Sequence, residues 1–272
     1  MLKTKKKHII RVHEDKSVQV EDAFAIEEPL QISLKYKSPL GQVTSKNISI
    51  TMRTPGADQD LALGFLFTEG IINKYSDISN CVEKFNEIEV QCSEDAQIDL
   101  SKIERHFYTS SSCGVCGKSS IDAIKTVRSI SAGPGEFKID PEWLKTIGEV
   151  QKKSQDVFKD TGGIHAASLF EINGDLLVSR EDVGRHNAMD KMIGFAMQNS
   201  LLPLDNHIVL LSGRASFELI QKASMAGVRC IAAIGAPSSL AIELAEESDM
   251  TLIGFLKPDR FNIYNGEQRI AI

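Results

Sequence analysis

Hydrophobic residues alternate with polar ones in several stretches of the first 110 positions. Every second residue is hydrophobic over 30–36 and again over 48–52, a spacing that predicts half-buried β-strands. A helical spacing then begins at Asp58 and stops near Gly70. Two shorter runs also predict strands, at 88–92 and 98–100. The pattern as a whole predicts a small α/β domain over residues 29–110.

The second half of the chain alternates more regularly between helical and strand-like patterns. Asp140-Pro141 predicts a helix start, because aspartate is a favoured N-cap and proline fits the first helical position. The helical period continues to Gly162-Gly163, and Asn173-Gly174 then predicts a hairpin turn. The predicted elements after Gly163 are strands 164–171 and 175–180, a helix with Met189, Ile193 and Met197 on one face, strand 208–211, helix 217–225, strand 231–234, helix 240–247 and strand 251–255. The final β-α-β-α-β order predicts parallel strands joined by right-handed crossovers.

The order of these elements over residues 140–272 resembles that of the cytidine-deaminase-like fold. We therefore expect an α/β protein, with a C-terminal cytidine-deaminase-like three-layer mixed sheet and a smaller N-terminal α/β domain. A zinc deaminase also needs His-x-Glu at one helix start and Pro-Cys-x-x-Cys at the next. Here His186 has no glutamate two residues later, and residues 212–216 contain no cysteine. We therefore expect this fold without the zinc ligands.

Composition and charge indicate a globular cytoplasmic protein. Hydrophobic residues make up 42% of the chain and charged residues 25%, and the formal net charge is -6. An acidic chain is a poor non-specific ligand for nucleic acid, so no nucleic-acid partner is expected. There is no apolar run of about 18 residues, so no membrane span is expected. Residues 1–28 start with lysines and have no secretory apolar stretch, which predicts a flexible basic N-terminal segment.

Three predicted strand ends in the second half together supply glycines, serines and the basic residues Arg214, Lys257 and Arg260. Ligands of open α/β sheets bind beyond the carboxyl ends of the parallel strands. Glycines there allow close backbone approach, and basic side chains such as Arg214 favour a phosphate or pyrophosphate. The alternative is that glycine and serine only form turns and that the basic side chains are solvated. The three ends are 212–214, 235–239 and 255–260.

A dense polar run lies where the predicted hairpin ends and the next helix begins. The polar residues are Arg180, Glu181, Asp182, Arg185, His186 and Asn187, with His165 on the other hairpin strand. They could form a surface that binds a ligand or a protein. Alternatively, Asp182 caps a helix start by accepting hydrogen bonds from free backbone N–H groups, and the histidines are hydrogen-bonded fillers.

The sharpest chemical signal is a pair of cysteines, Cys113 and Cys116, flanked by glycines. A helical pattern begins after Lys118, so residues 111–139 are predicted to form a CGVCG loop and a following helix, whose start favours thiolate. The pair could bind structural zinc, exchange disulfides like thioredoxin, be inert, or carry a persulfide. Spacing alone does not choose among these. Of the other cysteines, Cys230 lies in a predicted buried strand, and no role is predicted for Cys81 or Cys92.

Four segments, in this order along the chain, resemble the formate dehydrogenase accessory sulfurtransferase family: 113–118, 161–165, 180–187 and 212–214. The resemblance extends over nearly the whole chain from about Pro29. It implies a protein that accepts sulfur from a cysteine desulfurase. It also implies that the sulfur passes to molybdenum bis(molybdopterin guanine dinucleotide), held as a bound substrate, before this cofactor enters apo-formate dehydrogenase.

The resemblance further implies roles for particular residues. Cys113 would carry the persulfide and Cys116 would assist. The cofactor would be bound by Phe255, Leu256, Lys257, Pro258, Asp259 and Arg260. Two other functions stay open, a non-enzymatic cofactor-binding chaperone and a CxxC thiol-disulfide oxidoreductase. A homodimer is the expected oligomer, because it is the commonest one.

Overall fold

A computed structural model describes residues 2–38, 41–96, 98, 133 and 136–272. The chain forms an N-terminal ribbon, a four-stranded sheet and a six-stranded sheet, with helices on the sheets. The predicted α/β fold class is confirmed. The predicted strand at 98–100 and the predicted loop and helix at 111–139 lie almost wholly outside the described residues.

The N-terminal residues differ from the sequence prediction of a flexible segment over 1–28. Strands β1 (Thr4–His13) and β2 (Lys16–Ala25) pair antiparallel along their whole length. Glu14, at the turn between them, has a φ of 52°. β-branched residues on both sides of this turn favour extended backbone, and the lysine-rich start obscured that signal. The ribbon packs against the helix Asp156–Thr161.

The four-stranded sheet has the order β4-β3-β6-β5. Its inner face is apolar, because Leu30, Ile32 and Leu34 alternate with polar residues along β3 and are fully buried. Both predicted strands are confirmed, but the predicted half-buried face of β4 is wrong, because Ile50 is 68% exposed and Met52 48% exposed while Ile48 is buried. Ile32 pairs with Ser49 and Ser33 with Asn47, so Ile48 is an extra residue that interrupts the alternation of β4. The strands are β3 (Glu28–Lys37), β4 (Val43–Arg53), β5 (Ile78–Lys84) and β6 (Glu87–Cys92), and helix α1 (Asp58–Thr68) follows β4.

The six-stranded sheet has the order β12-β11-β10-β9-β7-β8. Its centre is parallel, because β9, β10 and β11 run in the same direction, whereas β7, β8 and β12 pair antiparallel to their neighbours. The predicted hairpin and the three predicted parallel strands are confirmed. The strands are β7 (His165–Glu171), β8 (Leu176–Asp182), β9 (His207–Leu211), β10 (Cys230–Ala233), β11 (Thr251–Gly254) and β12 (Asn262–Asn265).

Five helices belong to the second half of the chain. The first begins as predicted, because the side chain of Asp140 accepts a hydrogen bond of 2.9 Å from the backbone N–H of Glu142. The predicted long helix is two helices that meet at Gln155, whose ψ of 87° breaks the helical backbone. The helices are α2 (Pro141–Ser154), α3 (Asp156–Thr161), α4 (Arg185–Gln198), α5 (Phe217–Met225) and α6 (Ser239–Glu247).

Alternate residues of the six-stranded sheet belong to two different hydrophobic clusters. Val209 and Leu211 face the larger cluster, which contains residues of α4, α5 and α6, whereas Ile208 and Leu210 face a smaller cluster with α2. Helices therefore cover both faces, as expected for three layers. The larger cluster also contains residues of α1 and of the four-stranded sheet, so one core joins the first and second halves of the chain.

Helices α1 and α4 cross at two glycines, Gly64 and Gly194. A Cβ added to Gly194 would lie 2.7 Å from the carbonyl carbon of Asp60 and 2.9 Å from the backbone nitrogen of Gly64. A Cβ added to Gly64 would lie 2.9 Å from the nitrogen of Gly194. The two helical backbones are thus in direct contact, which only residues without a side chain permit.

Buried ion pairs connect the elements around this crossing. Lys191 of α4 lies 2.7 Å from the Asp182 carboxylate, and both side chains are almost fully buried. Lys222 of α5 lies 2.9 Å from Asp190 of α4. A buried charge is tolerated only when it is paired and hydrogen-bonded, so these pairs fix the relative positions of α4, α5 and the end of β8.

Candidate functional site

A cleft of about 660 Å³ lies beyond the carboxyl ends of the parallel strands, beside α2. This is the edge where open α/β sheets bind ligands. Three of the segments singled out in the sequence meet there. They contribute Gly162, Gly163, Ile164 and His165, then Ser212 and Gly213, and finally Leu256, Lys257 and Pro258.

Helix α2 and its junction with α3 form the other wall of the cleft. The sequence prediction did not include these residues in the site. The polar ones are Lys145, Glu149, Gln151, Lys152 and Gln155. One signal was available in the sequence, because Gln151 and Gln155 occupy the apolar face of the helical pattern four residues apart, where a hydrophobic residue is expected.

The cleft combines an apolar interior with charges near its mouth. Lys152 and Lys257 are exposed, so their ammonium groups can meet an anion in water. The apolar lining residues are Phe158, Ile164, Val183, Ile234 and Leu256. An apolar cleft with a few polar groups is the usual form of a site for a small organic ligand, and the lysines suit one that carries phosphate.

The segment 255–260 turns sharply after β11. Phe255 has a φ of 51°, in the left-handed region that a bulky residue seldom adopts, and its N–H donates to the carbonyl of Gly235 at 3.0 Å. Leu256 is buried, whereas the other five residues of the segment are exposed. Leu256, Lys257 and Pro258 line the cleft, and Phe255, Asp259 and Arg260 are not among the lining residues.

His165 begins β7 at the wall of the cleft. Burial lowers its pKa, and the nearby Arg185 guanidinium lowers the pKa further, so the imidazole is neutral at pH 7. Gly213 leaves room for the ring, because a Cβ at that position would lie 3.3 Å from Nδ1 of His165. A neutral imidazole both donates and accepts a hydrogen bond, and His165 can therefore contact a polar group in the cleft.

The polar run at 180–187 is mostly structural. Asp182 accepts hydrogen bonds from the backbone N–H groups of Thr54 at 3.1 Å and Gly184 at 2.8 Å, so it bonds free N–H groups as predicted. The predicted capping of the helix is wrong, because Gly184 is the N-cap residue of α4 and no side-chain hydrogen bond caps the first turn of this helix. Glu181 accepts from two N–H groups at the start of α3. Arg180 pairs with Asp60 of α1 at 2.8 Å. These contacts explain three charged residues of the run without a ligand.

The last part of this run remains at the surface. Nε2 of His186 lies 2.9 Å from the Glu218 carboxylate at the start of α5. The pKa of Glu218 is lowered, first by this hydrogen bond. Arg185 and Arg214 are exposed, close to the strand ends where the sequence predicted an anion site.

Cys113 and Cys116 lie outside the described residues. The three described cysteines are poor nucleophiles, because burial raises their pKa to about 11 for Cys81 and to about 12 for Cys92 and Cys230. Cys230 is fully buried in β10, as predicted. Sulfur chemistry at these three positions is therefore disfavoured at neutral pH.

Within the described ranges, no three His, Cys, Asp or Glu residues are grouped so that they could hold a metal ion. In the same part of the chain, no helix is both long enough and apolar enough to cross a membrane.

Comparisons with known proteins agree over nearly the whole chain. The model of the FdhD/NarQ family matches residues 25–271. The sulfur carrier protein FdhD of Streptomyces coelicolor is 43% identical over 280 residues, which cover 99% of this chain and 96% of that protein. The protein of the same name from Picrophilus torridus is 41% identical over 261 residues, which cover 92% of this chain and 93% of that one.

A solved structure is similar over nearly the full length of both chains. It is a protein of Desulfotalea psychrophila assigned as a formate dehydrogenase accessory protein, with a TM-score of 0.74, 23% identity and coverage of 98% of this chain and 99% of that one. At this level of identity the match shows a shared fold.

Proposed function

Because the chain belongs to the FdhD/NarQ family, we propose that it is a sulfur carrier that serves the maturation of formate dehydrogenase. In this proposal the donor is a cysteine desulfurase. The acceptor is molybdenum bis(molybdopterin guanine dinucleotide), bound as a substrate and then delivered to apo-formate dehydrogenase.

The cleft at the carboxyl edge of the six-stranded sheet is the observation that supports a nucleotide-containing substrate. It brings together segments that are far apart in the sequence, 162–165, 212–213 and 256–258. Its apolar interior suits a flat heterocycle, and the exposed Lys152 and Lys257 suit the phosphates of a dinucleotide.

The sulfur step requires a cysteine with a neighbouring thiol, and Cys113 and Cys116 provide this pair. The Cys113 thiolate attacks the outer sulfur of the donor's persulfide, so Cys113 gains that sulfur and the donor leaves as a thiolate. The Cys116 thiolate then attacks the inner sulfur, Sγ of Cys113, and a disulfide forms between the two cysteines. The bond between the inner and outer sulfurs breaks, and the outer sulfur leaves as HS⁻, which includes the one proton of the persulfide.

Electrons balance in this second step. The two cysteines lose two electrons and form a disulfide, and the transferred sulfur gains the same two electrons as it becomes sulfide. A thiol reductant then restores the dithiol. Since both cysteines lie outside the described residues, the step is based on family membership and residue identity.

Intact mass spectrometry tests the carrier function directly. The protein is incubated with a cysteine desulfurase and cysteine, with and without reductant. We expect a reductant-sensitive gain of about 32 Da, one sulfur atom, that is absent in Cys113→Ala and present in the matched control Cys81→Ser. No gain in the wild-type chain beside an active desulfurase would refute the carrier function, and nucleotide binding without a gain would favour a cofactor chaperone.

A further inference from the structure

Gln155, at the junction of α2 and α3, is a buried residue of the cleft wall. Its backbone is held on both sides, because its N–H donates to the carbonyl of Lys152 at 3.4 Å and its carbonyl accepts from the N–H of Lys159 at 3.1 Å. Only 4% of the residue is exposed. Among the described residues, its side-chain nitrogen Nε2 has no hydrogen-bond partner.

Gln151, one helical turn earlier, shows what a purely structural glutamine looks like in this wall. It is 1% exposed, and its Nε2 donates to Oγ of Ser168 and to the carbonyl of Leu210, both at 2.9 Å. These bonds connect α2 to the sheet. Gln155 makes no such connection through Nε2, so packing of α2 on the sheet does not explain why an amide occupies this position.

A buried donor without a partner costs free energy in the folded protein. A leucine has a similar volume and would avoid this cost, so the glutamine indicates a partner that arrives from the cleft. The terminal torsion of a glutamine side chain is soft, and a small rotation can therefore direct Nε2 at a bound molecule while the backbone stays in place.

The surroundings indicate which part of a ligand Gln155 contacts. Phe158, Val183 and Ile164 line the same cleft and are apolar, whereas the cationic groups of Lys152 and Lys257 are exposed. A neutral donor among apolar side chains suits an uncharged acceptor on a heterocycle, and the exposed lysines suit phosphate. The base and the phosphates of one nucleotide would thus meet different parts of the cleft.

We propose that Gln155 is a specificity-determining residue of the cleft, whose Nε2 donates a hydrogen bond to the carbonyl oxygen of the guanine in the bound nucleotide. This inference rests on the proposed function, because it takes the ligand of the cleft to be a guanine dinucleotide. Guanine presents a carbonyl oxygen on its six-membered ring, where adenine presents an amino group. The amide donor therefore favours guanine.

Calorimetric titration with GDP and ADP tests the contact on the full-length chain. For Gln155→Leu we expect the Kd for GDP to rise about tenfold, the loss of one hydrogen bond to a neutral acceptor in a buried site, and the preference for GDP over ADP to shrink. The Tm of the ligand-free variant should not fall, because the unpartnered donor is gone. Gln155→Glu, which keeps the size but loses the donor, should also weaken GDP binding.

The matched control is Lys153→Leu, an exposed position on the same helix that does not line the cleft, and its Kd should equal that of the wild type. A lower Tm of Gln155→Leu with an unchanged Kd would show a structural role and overturn the inference. Equal binding of GDP and ADP by the wild-type chain would overturn it too, with the proposed function intact. If neither nucleotide binds, the cleft is not the substrate site, and both this inference and the proposed nucleotide substrate fail. The sulfur loading of Cys113 is tested separately by mass spectrometry and does not depend on this result.

Discussion

The crossing of α1 and α4 predicts a large effect for one added methyl group, in Gly194→Ala. Alanine is about 1 kcal/mol better than glycine in a helix interior, so an isolated α4 would become more stable. In the protein, however, the new Cβ would lie 2.7 Å from the carbonyl carbon of Asp60 and 2.9 Å from the nitrogen of Gly64. Both are backbone atoms, which cannot rotate away as a side chain can.

The size of the effect follows from how far the helices must separate. Ordinary contacts of a Cβ begin near 3.4 Å, and the carbonyl oxygen of Asp60 would lie even closer to the new Cβ than its carbonyl carbon. The helical backbones would therefore have to separate by at least roughly 0.7 Å at their centre. Asp60 and Asp190 lie at this crossing and pair with Arg180 and Lys222, and those pairs would be stretched. Overpacking of this kind costs roughly 3 kcal/mol, which for a chain of this size lowers the Tm by roughly 6–12 °C.

Differential scanning calorimetry of the variant and of a matched glycine measures this cost. The control is Gly148→Ala in α2, where the added Cβ would lie 3.3 Å from the flexible end of Ile234, and we expect its Tm to be unchanged or higher. A Gly194→Ala protein with the Tm of the wild type would refute the backbone contact. Equal losses at both glycines would show that the contact is not the cause.

Three other changes have defined outcomes. Asp182→Asn leaves the buried Lys191 ammonium without its carboxylate partner and should lower the free energy of unfolding, measured in urea, by about 3–5 kcal/mol. A second change in the same chain, Lys191→Met, should restore part of this loss. No loss in the single variant would show that the pair is not buried. Burial lowers the pKa of His165 and His207 below the value in the unfolded chain, so the unfolded state takes up protons first as the pH falls. The Tm should therefore fall between about pH 7 and about pH 5, and it should fall less steeply in His165→Gln. Identical slopes of Tm against pH for the variant and the wild type would contradict the neutral imidazole. Lys257→Gln removes a cation at the mouth of the cleft and should raise the Kd for GDP roughly twofold to fivefold at low salt, with a smaller effect at high salt. If the change in Kd is the same at low and high salt, Lys257 has another role.

Local patterns predicted the second half of the chain well, because its elements carry strong signals. Asp140-Pro141 begins α2 as expected, and the three parallel strands are short apolar runs between helices. The ribbon β1-β2 was missed because lysines interrupt its apolar alternation. The edge of the sheet that holds the cleft was also predicted, since it follows from the direction of the parallel strands.

Features that depend on distant contacts could not be predicted from one sequence. Nothing near Gly64 or Gly194 in the chain indicates that the two glycines meet. The opposite wall of the cleft comes from α2, and its position depends on packing over β7 and β9 rather than on a local pattern. Arg180 and Asp182 suggested a ligand site, but Arg180 pairs with Asp60 and Asp182 pairs with Lys191. These partners are distant or on other elements, so a local sequence pattern could not identify them.

The glycine crossing also limits how such a protein can change by recombination. One hydrophobic core contains residues from both halves of the chain. At its centre the backbones of α1 and α4 are in contact, and neither Gly64 nor Gly194 has room for a Cβ. An exchange of residues 140–272 with those of a distant relative would have to bring a matching glycine and the same angle between the helices. The two halves are therefore expected to be inherited together, because a gene fragment that encodes only one half would expose to water the core residues that normally pack against the missing half.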